Sequence, residues 1–212
     1  MIQLTVGRAL RLAAQSRPQS VAISFEGRQI TYGEFEAQSN RIARALARAG
    51  LRKGDRLGVM LHNSDYYLSV IVGAAKAGVA LVLLNYRFTA GEVAYHLNDA
   101  GAMVLLHDSL FSETAHSARE QIAGLWLLEA GSRTLSGTLR LDDLAAVESD
   151  EPPDVQVNES DLLVLQYTSG TTGRPKGAII THRNRSLAFL HWPTIFGYGK
   201  DDVILHAGPL HH

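Results

Sequence analysis

An eleven-residue stretch, residues 167–177 (Tyr-Thr-Ser-Gly-Thr-Thr-Gly-Arg-Pro-Lys-Gly), places the strongest constraint on what this chain can fold into. Short apolar runs at residues 162–165 and 178–180 flank it, and their branched side chains predict two strands joined by a loop. The glycines let backbone N–H groups approach an anion, the hydroxyl groups add donors, and Lys176 adds a compact positive charge. The stretch therefore predicts a polyphosphate site between two strands.

The spacing differs from that of a Walker P-loop. A P-loop has a glycine, four further residues and then Gly-Lys-Ser/Thr at the start of a helix. Here Pro175 stands five positions after Gly170, and the residues after Lys176 have the pattern of a strand. Composition alone would also allow a surface loop that binds no ligand.

Composition excludes several classes of protein. The 212 residues have a formal net charge of −1, so the chain lacks the basic surface typical of nucleic-acid and anionic-lipid binding. The absence of cysteine excludes disulfides and thiolate ligands, and it agrees with a cytoplasmic location. Five of the nine histidines fall in residues 182–212, but their spacing gives no helical ligand pair and no zinc site is predicted.

Alternating strand and helix patterns predict an α/β domain with a mostly parallel sheet between two layers of helices. Capping boxes are expected at Thr31/Glu34 and Thr89/Glu92, and a hairpin turn at Glu26–Gly27. The apolar run at residues 68–84 divides more naturally into a helix and a strand than into a membrane span. Arg41, Arg44 and Arg48 are interpreted as a solvated helix side. Strands are predicted at residues 56–61, 79–84, 102–106, 125–128 and 203–206, and a polar helix at 109–122.

The loop stretch resembles the signature of the adenylate-forming (AMP-binding) enzymes, which include acyl-CoA synthetases, luciferases and the adenylation domains of peptide synthetases. That resemblance argues against a ligand-free loop and implies the three-layer fold of the family's N-terminal domain. Residues 84–87 (Leu-Asn-Tyr-Arg), with Thr89 and Glu92, are nearer to the acyl-CoA synthetase branch. Further similar segments are residues 30–34, 53–59, 63–64, 73–78, 181–184 and 208–212, the last of which resembles a Pro-Leu-Xaa-His motif.

The resemblance implies two half-reactions. A carboxylate attacks the α-phosphate of ATP to give an acyl adenylate and pyrophosphate, and the thiol of coenzyme A then displaces AMP. ATP, Mg²⁺ and coenzyme A are implied, with a fatty or aromatic acid as the substrate. Mg²⁺ would arrive bound to ATP, with Thr171 or Thr172 as its candidate protein ligand. The residues assigned to the ATP phosphates are Thr168, Ser169, Gly170, Thr171, Thr172, Gly173 and Lys176.

Catalytic roles are implied for two residues, Lys176 as a supporting charge and His212 beside the path of the carboxylate. His212, Trp192 and Phe196 are candidates for the acyl pocket. Plain core packing is the alternative for Trp192 and Phe196.

The family's later motifs, which contact adenine, the ribose and magnesium, have no counterpart here, nor does its small C-terminal domain with a catalytic lysine. We therefore expect residues 1–212 to be a partial N-terminal domain that is inactive alone and self-associates through an exposed apolar face. Its expected divisions are residues 1–55 (helix, hairpin and helix), 56–148 (α/β repeats), 149–160 (connection) and 161–212 (phosphate-loop segment).

Two other functions remain open at this stage. An amino-acid adenylation domain would use the same phosphate loop with a different acid. A non-catalytic module would bind a nucleotide or a partner without the adenylation chemistry.

Overall fold

The computed structural model describes residues 3–131, 138–168, 174–199 and 201–211. Seven strands form one sheet in the order β7-β6-β5-β3-β4-β8-β9, and β1 and β2 form a separate antiparallel hairpin. The strands are β1 (Val21–Phe25), β2 (Arg28–Thr31), β3 (Arg56–Met60), β4 (Ala80–Leu83), β5 (Val104–Asp108), β6 (Trp126–Ala130), β7 (Leu139–Arg140), β8 (Leu162–Thr168) and β9 (Lys176–Thr181). The helices are α1 (Val6–Ser16), α2 (Tyr32–Arg48), α3 (Asp65–Ala77), α4 (Ala90–Ala100), α5 (Ser112–Arg119), α6 (Leu141–Ala146) and α7 (His182–Phe196).

The large sheet is parallel except at its last pair, since β8 and β9 run antiparallel. Side chains alternate between two cores because successive residues of a strand point to opposite faces. Leu106 packs in the core that contains α2 and α3, whereas Leu105 packs in the core that contains α4 and α5. The predicted three-layer α/β fold is confirmed.

Helix ends follow the predicted capping chemistry. Thr31 with Glu34 and Thr89 with Glu92 form complete capping boxes at the starts of α2 and α4. Gly78 and Gly101 end α3 and α4 in the left-handed conformation, which costs glycine little because it has no Cβ. Thr181 forms a third capping box, with Asn184, at the start of α7.

Two predicted elements differ from the structure. Residues 203–206 form no strand, and Val203 and Leu205 are 96% and 89% exposed. None of the strands that the structure describes pairs with this segment, and the chain just after it, at Gly208 and Leu210, is hydrogen-bonded to Asn63. The predicted helix at residues 109–122 is shorter, because a 3₁₀ turn at Ser109–Phe111 precedes α5 and α5 ends at Arg119.

The arginines of α2 are partly solvated, as predicted, with 44% and 57% of the Arg41 and Arg48 side chains exposed, but they also contact residues 148–151. Arg41 contacts Asp150, with 3.3 Å between Nη2 and Oδ2. Arg44 donates from Nε to the Glu151 carbonyl oxygen over 3.0 Å, and Arg48 contacts Glu148 at 3.2 Å. The residues following α6 are therefore held along α2 on their way to β8.

No helix among the described residues is long and apolar enough to cross a membrane.

Candidate functional site

The predicted phosphate loop begins and ends on one antiparallel pair of strands. Thr168 at the end of β8 stands opposite Lys176 at the start of β9, and both side chains are exposed. Both residues were assigned to the ATP phosphates from the sequence; the structure places them opposite each other at the loop end of the hairpin, and their assignment to the phosphates stays a prediction. Ser169, Gly170, Thr171, Thr172 and Gly173 lie outside the described residues, so their assignments stay predictions.

The loop end of this hairpin lies at the carboxyl edge of the parallel sheet. Strand β8 is parallel to β4, so its last residue, Thr168, lies at the same edge as the carboxyl ends of β3, β4 and β5. In open α/β sheets, ligands bind outside the carboxyl ends of the strands. The hairpin therefore presents Thr168 and Lys176 where this architecture places its ligands.

The segment similar to the Pro-Leu-Xaa-His motif reaches the same edge. The side-chain amide of Asn63, which follows β3, donates to the Gly208 carbonyl oxygen over 2.8 Å and accepts from the Leu210 N–H over 2.9 Å. Gln166 of β8 donates to the His211 carbonyl oxygen over 3.3 Å. These contacts hold the second motif beside the hairpin, although His212 itself lies outside the described residues.

Aromatic rings line this part of the edge. The imidazole of His62 lies 4.8 Å from the Tyr86 ring and 4.7 Å from the Phe111 ring, measured between centroids. Tyr86 in turn meets His211 edge-on at 5.9 Å. The loops after β3, β4 and β5 thus contact one another and the chain segment that leads to His212.

Helix α4 is hydrogen-bonded to the loop end of the hairpin. The Tyr95 hydroxyl donates to the Pro175 carbonyl oxygen over 2.9 Å, and the Tyr167 hydroxyl donates to Asp99 Oδ2 over 2.6 Å. Burial and the Asp99 carboxylate raise the pKa of Tyr167, so this phenol remains a donor across the physiological range. The sequence reasoning missed Tyr95 and Asp99, whose only local signal is their four-residue spacing on one side of α4.

The candidates for the acyl pocket lie elsewhere, on α7. Trp192 is 46% exposed and Phe196 is 61% exposed, and Phe196 stacks on Tyr198 with 5.5 Å between ring centroids. Neither side chain is part of the core formed by the described residues, which leaves the core-packing alternative untested. Their assignment to an acyl pocket stays a prediction.

The described residues contain no group of three or more His, Cys, Asp or Glu side chains arranged to hold a metal ion. The polar side-chain groups described at the loop end of the hairpin are the Thr168 hydroxyl and the Lys176 ammonium, and only the hydroxyl can ligate a metal ion. A hydroxyl oxygen can add one ligand to a magnesium ion that is already bound by phosphates. The donor set therefore fits Mg²⁺ brought by a nucleotide better than a resident metal ion.

His182 joins the hairpin's helix to the start of the chain. The Val6 N–H donates to His182 Nδ1 over 3.3 Å, and the Ser186 hydroxyl donates to the Leu4 carbonyl oxygen over 2.7 Å. Burial lowers the pKa of His182 to about 4, although Asp161 opposes the change. The imidazole is therefore neutral at pH 7, and its protonation would place a proton against the Val6 N–H.

We expect this histidine to make the protein sensitive to mild acid. Since its folded-state pKa is below the ordinary 6.5, its contribution is complete above pH 6.5 and is lost as the pH falls from about 6.5 toward 4. The loss should be about 2 kcal/mol after allowance for partial solvent screening. Urea denaturation at pH 7.5, 6, 5 and 4.5 measures it, with His182→Asn giving a flatter profile and exposed His206→Asn giving the wild-type slope. A wild-type slope in His182→Asn would contradict the assignment.

Comparison with known proteins shows which family this chain belongs to. A family model described as AMP-binding enzyme matches residues 10–212. Feruloyl-CoA synthase from an Amycolatopsis species is 35% identical over 199 residues, which cover 94% of this chain and 38% of that protein. The long-chain-fatty-acid–CoA ligase FadD13 of Mycobacterium tuberculosis is 32% identical over 186 residues, covering 87% and 36%. Surfactin synthase subunit 1 of Bacillus subtilis is 32% identical over 205 residues, covering 96% and 5%.

The fold of the chain is also similar to a solved structure. The crystal structure of ATP-bound MatB from Rhodopseudomonas palustris superposes with a TM-score of 0.85 at 29% identity, covering 100% of this chain and 41% of MatB. The chain thus spans less than two fifths of the feruloyl-CoA synthase and of FadD13. It belongs to the AMP-binding enzyme family and has the fold of the N-terminal part of the adenylate-forming acyl-CoA ligases.

Proposed function

We propose that the chain is the phosphate-binding part of an ATP-dependent acyl-CoA synthetase. The enzyme would activate a fatty or aromatic acid as its acyl adenylate and transfer the acyl group to coenzyme A. The supporting observation is that two separate motifs meet at one edge of the sheet. Thr168 and Lys176 stand at the loop end of the hairpin, and Gln166 of the same hairpin binds the backbone of His211.

The chemistry of the first step matches these groups. Attack of a carboxylate on the α-phosphate of ATP releases pyrophosphate, so the developing negative charge must be neutralised where it forms. The Lys176 ammonium and the Thr168 hydroxyl would contact the β- and γ-phosphates, together with backbone and hydroxyl donors of residues 169–173. Mg²⁺ bound to ATP would supply further charge neutralisation when present. His212 would border the path of the attacking carboxylate.

The acid substrate is the least constrained part of the proposal. An aromatic acid is favoured by the relative named for feruloyl-CoA, and a fatty acid by the one named for long-chain acids. Trp192, Phe196 and His212 are the pocket residues that we propose for it. The second candidate is amino-acid adenylation, which is supported by the 32% identity to surfactin synthase subunit 1.

Acid-dependent exchange of labelled pyrophosphate into ATP tests the proposal. The protein that contains this chain is incubated with Mg·ATP and, in turn, ferulate, benzoate, palmitate, octanoate and a mixture of amino acids. We expect exchange with an aromatic or fatty acid, and a coenzyme A thioester once coenzyme A is added. Exchange with amino acids alone would replace the proposal by its second candidate, and no exchange with any acid would overturn both. A protein that consumes ATP in this way is expected in the cytoplasm.

We also predict that the isolated 212-residue chain self-associates. The apolar side chains of α7 are solvent-exposed, with Leu190, Ile195 and Phe196 59%, 67% and 61% exposed. Exposed apolar surface of this extent favours association in water. Sedimentation velocity should show concentration-dependent oligomers, and the double variant Leu190→Glu/Ile195→Glu should restore a monomer.

A matched pair of exposed apolar residues provides the control for this prediction. Leu110 and Trp126 are 64% and 70% exposed but lie away from α7. Leu110→Glu/Trp126→Glu adds the same charge and should leave the oligomers unchanged. A wild-type chain that stays monomeric at all concentrations and binds no hydrophobic dye would contradict the prediction.

A further inference from the structure

The loop end of the phosphate hairpin is hydrogen-bonded to α4 at two points. Tyr95 binds the carbonyl oxygen of Pro175, the residue immediately before Lys176, with 2.9 Å between the two oxygens. Tyr167, the residue immediately before Thr168, binds Asp99 Oδ2 over 2.6 Å. The chain is therefore hydrogen-bonded to the same helix on both sides of the loop, in each case one residue away from a proposed phosphate-binding side chain.

Aromatic ring contacts accompany these two hydrogen bonds. The buried imidazole of His96 meets the Tyr167 ring edge-on, with 4.5 Å between centroids, and stacks on Phe88 at 4.7 Å. On the facing strand, a Cβ added at Gly177 would lie 3.2 Å from Cζ of Tyr167, so a larger residue at this position would crowd the ring. The His96–Tyr167 contact adds a third interaction between α4 and the loop end of the hairpin.

We propose that Tyr95, Tyr167 and Asp99, here called the α4 latch, position Lys176 and Thr168 for the phosphates of ATP. The inference rests on the proposed function and adds residues outside the loop motif. The latch residues act through the Pro175 carbonyl and the β8 backbone, so they are positioning residues. Donors aimed at a phosphate lose most of their value when displaced, and about 1 Å of misplacement can cost roughly 100-fold in rate.

The double variant Tyr95→Phe/Tyr167→Phe tests the latch in the full chain. It keeps both rings and removes only the two hydroxyl groups. Without nucleotide, amide hydrogen exchange should become about 10-fold faster at whichever of Lys176 and Gly177 donates its N–H to β8, as expected when a local opening loses a hydrogen bond of ordinary strength. The Kd for Mg·ATP should rise about 10-fold, while the Tm falls by no more than about 6 °C. Tyr198→Phe is the matched control and should change neither the exchange nor the Kd.

Substitutions at Asp99 separate positioning from general stability. Asp99→Asn keeps an oxygen that accepts from Tyr167 and should resemble wild type in exchange and in Kd, whereas Asp99→Ala should resemble the loss of the Tyr167 hydroxyl. Unchanged exchange at Lys176 and Gly177 in the double variant would overturn the latch, as would an unchanged Kd for Mg·ATP. Exchange is measured without nucleotide, so it tests the latch even if the wild-type chain binds no Mg·ATP, a result that would count against the proposed function.

Discussion

Replacing Lys76 by methionine is expected to lower the free energy of unfolding by about 3 kcal/mol or more. Lys76 is 8% exposed, and its ammonium group donates to Glu36 Oε2 over 2.6 Å and to Ser39 Oγ and Asn40 Oδ1 over 2.7 Å each. Burial lowers the pKa of Lys76, although the Glu36 carboxylate opposes the change. Methionine would fill much of the volume but leave that carboxylate and two other acceptors without their donor.

Urea denaturation at pH 7 measures this loss, and two further variants identify its cause. The double variant Glu36→Gln/Lys76→Met removes both charges and should recover part of the stability, because a buried carboxylate is no longer left unpaired. Lys53→Met is the matched control. Lys53 bridges Asp161 at 2.7 Å but its side chain is 38% exposed, so its removal should cost less than about 1 kcal/mol. Equal losses at both lysines would contradict the role of burial.

The role of Lys76 also shows what local sequence patterns can and cannot predict. Nothing in the sequence around Lys76 indicated a buried charge with partners on another helix. The three acceptors lie 36 to 40 residues away on α2. Local periodicity predicts which residues form a helix, but it does not determine which side of α2 faces this lysine. Capping boxes such as Thr31 with Glu34 were predictable because both partners lie within one turn.

Errors in the fold prediction have the same physical origin. The run at residues 203–206 has the composition of a strand, yet strand formation depends on a neighbouring strand with free backbone groups. The short elements β7 and α6 were not predicted, since two and six residues are too few to establish a periodicity. Arg41, Arg44 and Arg48 were interpreted as solvated because their partners follow about 100 residues later.

The candidate site was predictable where chemistry is concentrated in one stretch. The ordered glycines, hydroxyl residues and Lys176 located the hairpin from sequence alone, and the flanking apolar runs gave both of its strands. The α4 latch was not predictable in this way, since Tyr95 and Pro175 are 80 residues apart. The same holds for Asn63, which binds the backbone of Gly208 and Leu210.

Lys176→Gln is expected to slow acid-dependent pyrophosphate exchange by about 100-fold, because one charge aimed at the departing pyrophosphate is worth roughly 3 kcal/mol in the transition state. Stability should hardly change, since Lys176 is exposed and its hairpin partner Thr168 pairs through the backbone. The two lysines thus make opposite predictions, with Lys76 affecting folding and Lys176 affecting chemistry.

Arg183→Gln is the charge-matched control for Lys176→Gln. Arg183 is an exposed cation in the first turn of α7. Its loss changes the net charge equally but leaves the Lys176 ammonium group in place at the loop end of the hairpin. We expect wild-type exchange rates from this variant at low and at moderate salt. If both variants slowed exchange to the same degree, the effect of Lys176 would be one of overall charge, because a specific phosphate contact depends on position and long-range attraction is screened by salt. A rate lost only in Lys176→Gln would assign that contact to the hairpin.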